Sequence, residues 1–121
     1  MNIETALKEA MTVDGAIGAA LVDYDSGMSL GVIGGGPGLD LELAAAGNTE
    51  VVRAKMRTLA SLDMDDTIED ILITLGKQYH LIRPLASSKS ALFLYVALDR
   101  SRSNLALARH SLKRIENGLD I

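Results

Sequence analysis

A chain of 121 residues is one domain long, and its 48% hydrophobic and 23% charged content, with no apolar run near the roughly 20 residues that span a bilayer, is ordinary for a globular protein. The absence of cysteine excludes disulfides, thiolate nucleophiles and cysteine-ligated zinc or iron–sulfur sites, which leaves His80 and His110 for acid/base or metal work. The net charge of -4 argues against nucleic acid as a default partner, but residues 1–52 hold one basic and eight acidic side chains, net -7, while residues 53–121 hold eleven and eight, net +3.

Behind Asn2, a good N-cap, Ile3, Ala6, Leu7, Ala10 and Met11 recur at helical spacing and predict a short amphipathic helix ending at Asp14-Gly15. Two apolar-rich stretches, Ala16 to Tyr24 and Met28 to Ile33, flank Asp25-Ser26-Gly27, whose glycine suits a three-residue hairpin loop. After Gly34-Gly35-Gly36-Pro37-Gly38, Asp40 caps an alanine-rich helix to about Leu62. From Thr67 to Leu98 the period becomes two. A turn at Gly76-Lys77 then sets Leu75 opposite Gln78, Ile73 opposite His80, Leu72 opposite Leu81, Ile71 opposite Ile82, and Asp70 opposite Arg83 as a cross-strand charge pair. Pro84 ends that strand or marks an edge, Ser87-Ser88-Lys89-Ser90 is a loop, and Ala91 to Leu98, apolar on both faces, belongs mid-sheet. Asp99 caps a last helix through Leu105, Ala108, Leu112 and Ile115, closed by Gly118. The order is αββαβββα, in a single domain spanning 1–121.

Chemistry-bearing patterns are sparse. The glycine run precedes a helix, yet Leu39-Asp40-Leu41-Glu42 stands where a phosphate loop needs Lys and Ser/Thr, and its carboxylates repel anions. His80 has Tyr79 and Arg83 nearby but neither nucleophile nor paired carboxylate, so it reads as a hydrogen-bonded sheet histidine before it reads as the centre of a hydrolase. His110 reads as solvated. Asp63, Asp65, Asp66, Glu69 and Asp70 lack the glycine and spacing of a calcium loop. Arg100, Arg102, Arg109, Lys113 and Arg114 gather on or beside the last helix, a footprint for phosphates or acidic surfaces, without interleaved aromatics.

The long helix is the most informative segment. Leu41, Ala45, Val52, Met56 and Leu59 form one stripe able to cover a sheet, and Ala44, Gly47, Val51, Ala54 and Leu62 form a second beside it. Small residues there admit a close second backbone; alanines are also plain helix formers, so a face that only covers the core is the alternative.

The hairpin Gly18-Ala19-Ala20-Leu21-Val22-Asp23-Tyr24-Asp25-Ser26-Gly27, the alanine-rich long helix, the strands Asp70 to Leu75 and Tyr79 to Leu85, and the ending Phe93 to Arg109 resemble the Roadblock family, also called the dynein light chain Roadblock type. The tail Leu98 to Arg109 is similar to the bacterial, especially actinobacterial, branch. The resemblance implies an α+β, profilin-like fold: a five-stranded antiparallel sheet with the long helix on one face and the two terminal helices on the other. It also implies a homodimer in which long helices pack together and third strands join two sheets into one. Bacterial members of that family often partner small Ras-like GTPases, and eukaryotic relatives serve as dynein light chains and lysosomal scaffold subunits. The family's regulators reshape the GTPase, so no arginine finger is assigned to Arg53 or Arg57.

The expectation is a cytoplasmic, homodimeric regulatory or scaffold protein for a small GTPase, with no enzymatic activity, cofactor, catalytic residue or metal site. Dimer contacts are expected at Ala44, Gly47, Val51, Ala54, Leu62, Ile71 and Ile73. Partner contacts are expected at Arg53, Lys55 and Arg57. The alternative is a nucleic-acid or anionic-ligand module using the basic last helix.

Overall fold

Each helix starts where a short polar side chain can accept from a free backbone amide. In the computed structural model, which describes residues 1–86 and 88–121, Asn2 caps α1 (Ile3–Ala10) by accepting from Thr5 N at 2.9 Å, and Asp40 caps α2 (Leu41–Ser61) by accepting from Leu43 N at 3.1 Å. The strands are β1 (Ala16–Asp23), β2 (Met28–Gly34), β3 (Ile71–Thr74), β4 (Gln78–Pro84) and β5 (Leu92–Asp99), and α3 (Leu105–Gly118) closes the chain. Gly27 turns the β1–β2 hairpin with φ +80°. At Gly34, φ +74°, a Cβ would stand 2.6 Å from the Ile17 carbonyl oxygen, so the hairpin's far end also requires glycine.

The five strands form one antiparallel sheet in the order β2-β1-β5-β4-β3. β5 lies at its centre and every residue from Leu92 to Leu98 is buried, as a strand apolar on both faces requires. The β3–β4 register is the one expected from the turn: Ile71 meets Ile82, Leu72 meets Leu81, Ile73 meets His80, and Leu75 N donates to Gln78 O at 2.8 Å. Pro84 is the last residue of β4.

Two cores result. On one face Leu7 and Ala10 of α1 and Ala108, Leu112 and Ile115 of α3 bury Ala19, Leu21, Leu81, Leu94, Val96 and Leu98. On the other, Leu41, Ala45 and Val52 of α2 bury Ala20, Val22, Ile82, Phe93, Tyr95 and Ala97. This is the expected layering, with α2 alone on its face.

Two expectations are corrected. Asp99 caps a single 3-10 turn, Arg100–Arg102, and Asn104 caps α3, accepting from Leu107 N at 3.1 Å. Asp70 and Arg83 do not pair with each other. Both lie on the face that α3 covers, and α3 supplies a closer partner to each: Glu116 Oε1 accepts from Arg83 Nε at 2.7 Å, and Asp70 accepts from Arg109 at 3.0 and 3.1 Å. Of the expected 87–90 loop, residue 87 lies outside the described residues.

Candidate interaction surface

α2 leaves part of its sheet face uncovered. One helix is about 10 Å wide, whereas five strands about 4.8 Å apart make a much broader sheet, so a single helix cannot roof it. α2 packs over β1 and β2, and its fully buried residues are Leu41, Ala45, Thr49 and Val52. Ile71 and Ile73, on edge strand β3, stay half-buried at the margin of that core.

Beside them runs a cleft of ≈ 470 Å³ between α2 and the segment entering β3, lined by Val51, Lys55, Leu59, Ile68 and Ile71 among others. A second cleft of ≈ 360 Å³ shares Leu59 and Ile68 with it and continues past Met56, Met64 and Tyr24. Together they form one mainly apolar seam along the C-terminal half of α2.

The residues expected at a dimer contact divide in two. Ala44, Val51, Ile71 and Ile73 are half-buried against the α2-side core. Gly47, Ala54 and Leu62 are exposed, Leu62 to 61%, and nothing lies within 4 Å of the place a Gly47 Cβ would take. The second stripe therefore exists as a surface whose inner margin touches the core and whose outer margin touches no part of the chain at Gly47.

The expected basic trio is not one patch. Residues two apart on a helix project about 200° apart. Arg53 reaches the hairpin and donates from Nη2 to the Asp25 carbonyl oxygen at 2.6 Å, Lys55 lines the β3-side cleft with Asp66, Glu69 and Asp70, and Arg57 is exposed.

His80 lies on the α2 side of β4. Its Nε2 is 2.8 Å from Gln78 Oε1, its Nδ1 is 3.2 Å from the Tyr95 hydroxyl, and the two rings meet edge to face at 5.4 Å. Burial lowers the His80 pKa below 6.5, which keeps the ring neutral near pH 7. Burial also pushes the Tyr95 hydroxyl up to about 12, opposed by a hydrogen bond from Asn48 of α2. A consistent proton arrangement runs Asn48 to Tyr95 to His80 to Gln78, a polar chain that ties α2 to the sheet. It contains neither nucleophile nor carboxylate.

Parts of the remaining patterns are occupied within the fold, while Lys113 and Arg114 are exposed. Gly35 N donates to Ile17 O at 2.9 Å and Gly36 N to Leu39 O at 3.3 Å, so amides of the glycine run are spent on the connector itself. Arg100 lies 5.1 Å over the Tyr79 ring and donates to Leu75 O, Arg102 is 4.0 Å from Asp99, and Arg109 holds Asp70. Among the described residues no three His, Asp or Glu side chains are placed to hold a metal ion, and no helix is long and apolar enough to cross a membrane. His110 is exposed.

Sequence reasoning passed over Thr49 and Asn48, and read Glu116 only as diluting the basic cluster of the last helix rather than as the partner of Arg83. Thr49 completes the buried stripe by donating its hydroxyl to Ala45 O at 2.8 Å, a helix-internal bond that lets a polar residue sit in the core. The signal was present as the spacing of positions 41, 45, 49 and 52.

No family model and no curated protein matches the chain. Solved structures do. A Roadblock/LC7 domain from Streptomyces avermitilis superposes with a TM-score of 0.82 at 13% identity, covering 98% of this chain and 94% of that one. MglB from Myxococcus xanthus gives 0.75 at 18% identity over 93% and 77% of the two chains, and an MglB with a tetrameric arrangement gives 0.68 at 18% over 95% and 88%. The chain has the Roadblock/LC7 fold.

Proposed function

We propose that this chain is a homodimeric regulatory or scaffold protein that binds a small Ras-like GTPase and has no catalytic activity of its own. The observation that carries the reading is the apolar seam of α2 and β3, exposed in a chain whose fold is that of MglB. Two such seams facing each other cover Val51, Ile71 and Ile73 and set Gly47 and Ala54 where a second helix can approach. Joining β3 to a second β3 also removes an unpaired sheet edge. The GTPase partner comes from the resemblance to the Roadblock family's bacterial members, whose dimers present one wide surface; interfaces of standard size bury roughly 1,600 Å² in total, more than one helix face offers.

The alternative of a nucleic-acid module on the last helix has a smaller footprint than the sequence suggests, because Arg100 and Arg102 stand in the turn before α3 and Arg109 is held by Asp70, which leaves the exposed Lys113 and Arg114. Immobilised protein exposed to a lysate of its native host should retain a small GTPase identifiable by mass spectrometry, and a dimer-breaking variant should retain less. Retention of nucleic acid with no GTPase would contradict the reading.

A further inference from the structure

The sheet has two edges, and the proposed dimer uses one. The other is β2, with the sequence Met-Ser-Leu-Gly-Val-Ile-Gly over Met28–Gly34. It contains neither a charged residue nor a proline, the devices that commonly stop an edge strand from pairing. Three of its large apolar side chains are open to solvent: Met28 at 68%, Leu30 at 48% and Val32 at 42%. Its inner side pairs with β1 in regular register from Gly31 to Gly34, with an irregularity opposite Leu21/Val22, and among the described residues no strand lies outside it.

Carboxylates outnumber cations around this edge. Asp23 ends β1 and Asp25 lies in the turn leading into β2, Glu42 of α2 accepts from the Ser29 hydroxyl at 2.8 Å, and Asp40 caps the same helix. Two cations stand near them: Arg53, which keeps its charge while donating to the Asp25 carbonyl oxygen, and Lys8, which is paired with Glu4 at 3.1 Å.

We propose that β2 is a docking edge for an extended segment of a partner protein that alternates apolar and basic residues. Backbone groups of the segment add a strand to β2, its apolar side chains lie along Leu30 and Val32, and its cations meet the acidic rim. A second copy of this chain fits the edge poorly, because β2 against β2 brings two acidic rims together. The regular stretch of β2 is short, so the ladder alone gives modest affinity and the charge supplies selectivity. Since β2 and β3 are opposite edges, this inference stands apart from the dimer.

The test is an amide-resolved NMR titration of the isotope-labelled protein with a synthetic hexapeptide alternating lysine and valine, run beside a glutamate–valine counterpart. The expected result is a shift pattern centred on Ser29 to Ile33 that weakens with added salt, no response to the glutamate peptide, and roughly tenfold weaker binding by the Leu30→Lys/Val32→Lys variant. Met28→Lys serves as a milder second variant should the double one lose its spectrum. Shifts centred elsewhere, equal response to both peptides, or unchanged affinity in the lysine variants would overturn the proposal. So would assembly of the free protein beyond a dimer that the double variant abolishes, which would assign the edge to a second copy.

Discussion

Gly47 separates folding from assembly, since an added side chain there meets nothing in its own chain. Gly47→Arg gains helix propensity of up to about 1 kcal/mol and places a charge on the exposed stripe. The circular dichroism spectrum should persist while the dimer dissociates; a dimer that survives would remove this stripe from the interface. Arg57, exposed and one turn from Arg53, is the remaining candidate for a partner-facing cation on that side of α2. Arg57→Glu should weaken GTPase binding by about 1–3 kcal/mol if it forms a charge-assisted anchor, measured by calorimetry on a variant that still dimerises. His80 makes a different prediction. Its folded pKa lies below the unfolded 6.5, so between the two values the folded state binds fewer protons than the unfolded state, and stability declines from about pH 6.5 downward toward the lowered value. His80→Gln should flatten that decline in denaturant titrations, and an unchanged slope would show that other groups cause it.

At the scale of elements, α3 depends on its N-cap and its charges. Asn104→Ala should cost about 1 kcal/mol by removing the bond to Leu107 N, and Asp99→Ala less, because Asp99 caps only one 3-10 turn. Equal costs in chemical denaturation would contradict the assignment of Asn104 as the cap. Glu116→Gln should cost about 3 kcal/mol by leaving the Arg83 charge buried against a neutral partner. These elements also show what a sequence reveals. The β3–β4 register was legible because a two-residue turn allows only a narrow set of pairings and the apolar alternation selects one. The α3 start was misread because Asp99 and Asn104 are both competent caps and only the chain's path after β5 separates them. The Asp70 and Arg83 partners were illegible from strands alone, since the charges that win come from a helix 39 and 33 residues further along the sequence, at Arg109 and Glu116. The second stripe of α2 was legible as excess apolar surface, but the splitting of Arg53 from Lys55 required knowing where the hairpin lies.

For the whole molecule, the two faces of the sheet differ in how well they are roofed. α1 and α3 share one face, while α2 alone covers the other and leaves β3 half-buried beside it. In the proposed dimer such a chain completes its second face by meeting another copy, and a partner of that dimer would read a surface that the monomer lacks. The central claim is therefore the α2–β3 dimer, and light scattering of the eluting protein across a concentration series tests it most directly. The account predicts about twice the 12.9 kDa chain mass for the natural sequence and the single-chain mass for Gly47→Arg. A mass of one chain for the natural sequence, held up to tens of micromolar, would contradict it.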